Sequence, residues 1–145
     1  MQDAKSKIEE IQARRDAMRA PLAAKEQEQH LVDMEALADA EEEHGFGCVK
    51  PLKVHGYKEG VATFAIIKSP GGTAYYRRYL DQLRNAKKES EKGKAQELLG
   101  ESCVIYPPKG EEREAMLSAF PGFYICAAIE ACKMAELSAE DEKKD

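Results

Sequence analysis

A chain of 145 residues, 43% of them apolar, has the size and composition of one ordinary globular domain. Its net charge of −5 argues against nucleic acid, whose binders gather a dominant basic face. The short basic pairs Arg14-Arg15, Arg77-Arg78 and Lys87-Lys88 each lie close to acids. With 34% charged residues, 7% aromatics and no Trp, the expected core is thin and lies in residues 49–137, between two charge-rich ends.

Residues 3–19 alternate charged and small apolar groups, with Ile8, Ile11, Met18 and Leu22 at helical spacing once Arg15 is stepped over. Pro21 interrupts this pattern and suits a first turn, so a second helix is expected to begin there. That helix carries Leu31, Val32, Met34, Leu37 and Ala38 and ends at three glutamates, His44 and Gly45. Six polar residues at 25–30 break the heptads, which speaks against a long coiled coil and leaves room for a short one. Residues 1–44 therefore read as a helical arm, half-exposed and dispensable for folding of the rest.

From Gly45 the pattern changes. Cys48, Leu52 and Val54 share one parity, and residues 61–67 are apolar on both parities. Two such runs around the glycine-bounded segment 56–60 predict a β-hairpin, with Pro51 restricting the first strand to an edge. The second run suits a strand covered on both faces. Ser69 or Thr73 is expected to cap a helix reaching Arg84, with Tyr75, Tyr76 and Tyr79 as a broad aromatic stripe. A lysine-rich stretch comes next. Ala95, Leu98, Leu99, Ser102, Cys103 and Tyr106 then recur at helical spacing, predicting a helix stopped by Pro107-Pro108. Gly110-Glu111-Glu112 opens another helix, which buries Ala115, Met116, Leu117 and Phe120.

Of residues 123–137, twelve of fifteen are apolar, and Glu130, Lys133 and Glu136 form one narrow polar stripe. Nearly the whole circumference of this last helix must be covered by core or by a partner. Ile125 and Ile129 are expected to be buried, either in the monomer or in a self-association interface. Residues 138–145 read as a disordered tail. The expected fold is mainly α with a small β-hairpin (α+β): arm 1–44, a compact domain 45–137 of a hairpin plus four helices, then the tail.

Candidates for chemistry are sparse. His44, Cys48 and His55 lack a nearby fourth zinc ligand. Gly71-Gly72-Thr73 has neither the spacing nor the lysine of a phosphate loop. His30, His44 and His55 all lie in the first 55 residues, far in sequence from Cys103, Cys126 and Cys132, so no nucleophilic dyad is indicated. No cofactor, metal or catalytic residue is expected. Candidate partner-binding residues are the aromatics Tyr75, Tyr76, Tyr79, Phe123 and Tyr124, with Ile125 and Ile129. No apolar stretch follows Met1, and residues 123–137 are shorter than the ~20 needed to span a bilayer, so a cytoplasmic protein with reduced thiols is expected.

One order of features carries a resemblance. The apolar run 62–67 leads into Lys68-Ser69-Pro70 and an aromatic helix. A lysine-rich segment then precedes Ala95-x-x-Leu98-Leu99-x-x-x-Cys103-Val104-x-Tyr106-Pro107, and Leu117-x-x-Phe120-Pro121-Gly122 opens a helix rich in small residues. Over residues 61–136 this resembles the tail assembly chaperones of long-tailed bacteriophages; the N-terminal arm has no counterpart in that pattern. The resemblance implies a non-catalytic protein of the host cytoplasm. Such a protein coats the helical tape measure protein, helps recruit tail tube subunits, and is absent from the finished particle; this chain is itself expected to form a homo-oligomer. The resemblance transfers no site residue. Two other readings remain: a structural virion or adaptor subunit using 1–44 as an assembly arm, and a small helical enzyme or ligand-binding module.

Overall fold

A computed structural model describes residues 2–136 of the chain; the expected tail lies outside them. Five helices and three strands occur in the order α1 (Gln2–His44), β1 (Val49–Lys53), β2 (Phe64–Lys68), α2 (Thr73–Asn85), α3 (Glu89–Cys103), β3 (Val104–Tyr106), α4 (Glu111–Ala119) and α5 (Phe123–Ala135). The protein is thus mainly helical with a small antiparallel sheet, as the sequence indicates.

The expected break at Pro21 does not occur: α1 is one helix of 43 residues with Pro21 inside it. At 1.5 Å per residue it is about 65 Å long. Proline removes only the bond to the Ala17 carbonyl, and that carbonyl stands in solvent while Ala20, Leu22, Ala23 and Ala24 favour helix on both sides. The helix ends where Gly45, at φ 102°, donates its N–H to the Glu41 carbonyl (2.8 Å).

The sheet has the order β1-β2-β3, so β1 with its proline is an edge strand and β2 is central, as expected. β1 and β2 pair antiparallel from Val49↔Lys68 to Lys53↔Phe64. The third strand is not foreseen by the helical periodicity of 95–106. Helix α3 stops at Cys103, and Val104-Ile105-Tyr106 pairs with β2 through Ile66↔Tyr106 and Ile67↔Val104. Two β-branched residues and a tyrosine before a proline favour an extended chain, and here they outweigh an accidental helical match. The α2 cap also differs. Gly72 occupies it at φ 78°, without a side-chain hydrogen bond from either Ser69 or Thr73.

Strand β2 divides the core by parity. Phe64 and Ile66 face α1 and pack with Ala40 and Val49. Ala65 and Ile67 face the other way, onto Met116, Phe123 and Ala127 of α4 and α5. A third cluster joins Tyr79 of α2, Leu99 and Cys103 of α3, and Ala128 and Ala131 of α5. Helix α5 is thus wedged between the sheet and α3, as its nearly all-round apolar surface requires. Ala127, Ala128 and Ala131 are each 0% exposed. A Cβ built on Gly100 would lie 1.8 Å from the Tyr124 carbonyl oxygen, so the two helices meet backbone to backbone at that point.

The packed body does not begin at Gly45. Asp33 and Ala40 of α1 are buried against the sheet, and the stretch from Asp3 to Glu28 holds no buried or half-buried residue. The boundary of the arm moves back by about a third of the helix, because the stripe Asp33, Ala36, Leu37 and Ala40 covers the β2 face.

Candidate interaction surface

The partner-binding residues expected from sequence do not gather in one place. Tyr75, Tyr76 and Tyr79 lie on α2 and face different surroundings. Tyr79 is buried on Ala95 and Leu99, Tyr76 is half-buried beside Cys132, and Tyr75 stands 38% exposed. Burial pushes the phenols of Tyr76 and Tyr79 above their ordinary value. The Tyr75 hydroxyl donates to Ser102 Oγ (3.0 Å), which donates in turn to the Leu99 carbonyl (2.7 Å), tying α2 to α3.

On α5, Phe123 is buried and stacks on half-buried Tyr124 at 5.5 Å between ring centres. Tyr124 accepts a long hydrogen bond (3.5 Å) from Arg113. Ile125 is half-buried. Ile129 is 46% exposed, so the monomer's own core does not cover it, which leaves a self-association interface as the place where it would be buried. The buried side of α5 is the alanine side: close approach to α3 leaves room only for methyl groups, and the isoleucines are displaced outward.

Two of the concave regions among the described residues adjoin these side chains. Helices α2 and α3 diverge around a groove of two adjoining cavities, of 250 and 470 Å³, that share Arg78, Gln82, Ala95 and Leu98. Its floor is Tyr79 and Leu99, its apolar rim is Tyr75 and Leu98, and Asp81, Glu91 and Lys94 supply charge along the wider part. Leu98 is 55% exposed beside the buried Leu99 and Tyr79, so apolar surface lies open along this groove. The second region is a 350 Å³ pocket between β1 and the α4–α5 corner, walled by Leu52, Val54, Met116, Phe120, Phe123 and Cys126.

The chemistry of these surfaces is apolar contact with a charged border. No cluster of three or more His, Cys, Asp or Glu capable of holding a metal occurs among the described residues. The fold brings His55 and Cys126 to the walls of one pocket, a proximity their sequence separation concealed, but no hydrogen bond joins them. Burial pushes the thiols of Cys103 and Cys132 up, away from thiolate.

Two buried polar residues escaped the sequence reading, and both are structural. Asp33, 0% exposed, accepts from Thr63 N–H (2.6 Å), Thr63 Oγ1 (2.6 Å), Gln29 Nε2 (2.9 Å) and the Tyr106 hydroxyl. Arg113, 4% exposed, donates to the carbonyls of Pro107 (2.7 Å) and Val104 (3.3 Å), holding the turn after β3 against α4. The signal for Asp33 was an acid inside the apolar stripe of α1. For Arg113 it was a lone cation among the acids that open α4.

Among the described residues no single helix is long and apolar enough to cross a membrane. In comparisons with known proteins, no protein family, curated protein or solved structure matches this chain.

Proposed function

We propose that this protein is a non-catalytic assembly chaperone that holds a helical client, of the kind formed by the tape measure protein of a phage or phage-like tail. The observation that carries this reading is the α2–α3 groove, with Tyr75 and Leu98 exposed above a floor of Tyr79 and Leu99. An amphipathic client helix can set apolar residues spaced three and four apart onto such a floor, while Arg78, Asp81, Glu91 and Lys94 meet its polar flanks. The likeness of residues 61–136 to tail assembly chaperones supplies the client class. A second reading, a virion or adaptor subunit, draws support from α1, whose first turns up to about Leu22 carry no buried side chain, as an assembly arm would.

Co-expression with a tape measure protein, comparing its soluble fraction with and without this chain, tests the proposal. The expected result is a soluble complex that persists in high salt, because apolar burial drives it at roughly 25 cal/mol per Å². Leu98→Asp should abolish the complex and leave the chain folded. An unchanged soluble fraction overturns the chaperone reading, and stable recovery of the protein in finished particles replaces it with the subunit reading.

A further inference from the structure

The free part of α1 has a face that the body does not cover. Ile8, Ile11, Met18 and Leu22 are 66, 53, 60 and 38% exposed, yet they continue the same stripe that, further along, packs Asp33, Ala36 and Ala40 onto the sheet. In heptad terms Ile8, Arg15, Leu22 and Gln29 occupy one core position, and Ala4, Ile11, Met18 and Lys25 the other. The charge along the helix is lopsided. Residues 3–19 carry five basic and four acidic side chains, whereas residues 20–44 carry one lysine against eight acids.

We infer that residues 4–29 of α1 pair antiparallel with the same segment of a second copy of this chain, on a two-fold axis between Asp16 and Ala17. Three independent features set this arrangement. Parallel pairing would place Arg15 against Arg15 and Lys25 against Lys25 in the seam, with Arg14 flanking Arg19, all repulsive. Antiparallel pairing about this axis instead sets Ile11 on Leu22, Ile8 on Lys25 and Arg15 on Met18, so each cation lays its aliphatic stem on an apolar partner. The flanking positions then match Lys5 with Glu26 and Lys7 with Glu28, each occurring twice by symmetry.

The register is set by the same charges and by the length available. Sliding one heptad toward the N-terminus opposes Lys5 to Arg19 and Arg14 to its own copy. Sliding one heptad the other way opposes Arg15 to Lys25 and drives the partner's first turns into the body, which begins at Gln29 and His30 with their contacts to Asp33 and Thr63. The axis chosen by charge also places Ala4 opposite Gln29, so the overlap fills the free length and stops where the body starts. Lys25 reaches Glu59 of its own chain, which keeps its ammonium outside the seam.

The test uses the full-length protein and charge exchange. By equilibrium sedimentation the protein should approach twice 16.1 kDa as concentration rises. Lys5→Glu with Lys7→Glu, or Glu26→Lys with Glu28→Lys, should each weaken self-association by about tenfold or more, since four attractive pairs become repulsive. Mixing these two variants should restore the dimer, because a mixed pair recovers all four attractions. All four positions are exposed, so the unfolding midpoint of the body should stay constant and serve as the control. A monomer at every attainable concentration, a dimer unaffected by the reversals, or no recovery on mixing overturns the inference. Because none of these variants touches the α2–α3 groove, their outcome is separable from that of the client-binding experiment.

Discussion

Helices α3 and α5 meet through missing side chains: Gly100 faces the Tyr124 backbone and three alanines of α5 are fully buried, so contact is dispersive and geometrically unforgiving. At the other side of the sheet, α1 is anchored through one carboxylate that satisfies two donors of Thr63, just before β2, one of Tyr106 in β3 and one from its own helix. The first junction tolerates no added atom, and the second tolerates no removed one. Both hold a helix to the same core, but they fail in opposite ways under mutation.

The sharpest test of that contrast is Gly100→Ala. An added methyl would stand 1.8 Å from a backbone oxygen, which no rotamer change relieves. A loss of about 3–5 kcal/mol in urea unfolding, or failure to fold, is expected. A near-neutral result would mean that α3 and α5 can slide apart. Asp33→Ala comes next. It leaves Thr63 N–H, the Thr63 hydroxyl and the Tyr106 hydroxyl without their acceptor and should cost about 2–4 kcal/mol. Removing residues 1–24 should leave the unfolding midpoint of the body unchanged, whereas removing residues 1–43 should lower it. Equal effects would show that α1 and the sheet are not coupled.

The polar junction also has a pH signature that the apolar one lacks. Burial, then the hydrogen bond and charge of Asp33, push the Tyr106 phenol well above its ordinary value. The folded state therefore retains this proton when the unfolded chain has lost it. The contribution is complete below the unfolded tyrosine range and falls as pH rises past about 10, by less than about 1.4 kcal/mol per pH unit. Tyr106→Phe should flatten the alkaline limb of a stability–pH curve; an unchanged limb assigns the slope to other groups. Among the point substitutions the smallest effect belongs to Ile129→Ala. With 46% of its surface exposed it should cost under about 1 kcal/mol, against about 2–5 for Leu99→Ala, which is 2% exposed. A large loss at Ile129 appearing only at high protein concentration would show a partner covering it.

The elements that could be read in sequence are those where one periodicity dominates over enough residues. Strand β2, apolar on both parities, is central and covered on both faces, and the last helix buries Phe123, Ala127, Ala128 and Ala131 in the core while its isoleucine side is left open. Reading failed where two signals overlapped. At Val104-Ile105-Tyr106 a helical spacing inherited from α3 masked the β-branched run, and at Pro21 a residue that usually interrupts helices was absorbed by its alanine-rich flanks. The candidate surface was half legible. Aromatic density pointed to α2, but which tyrosine faces out depends on where α3 lies, and no local pattern encodes that. At Ile129 hydrophobicity identifies what seeks cover, while the spacing to α3 decides that alanine receives it within the monomer. Asp33 and Arg113 each required partners from 30 and 6 residues away in the chain.

Pro51 in the edge strand has a consequence for how anything can join this molecule. The Val54 N–H bonds inward to Thr63 (3.3 Å), so by the alternation of an antiparallel ladder Leu52 and Lys50 also point inward. Val49, Pro51 and Lys53 are left to present the free margin of the sheet, and the middle one has no hydrogen to offer. An extended peptide laid along that margin would lose its central bond and meet a pyrrolidine ring instead. The molecule is thereby kept from seeding a growing β-stack along this margin. Whatever docks along this margin must do so without zipping onto its backbone.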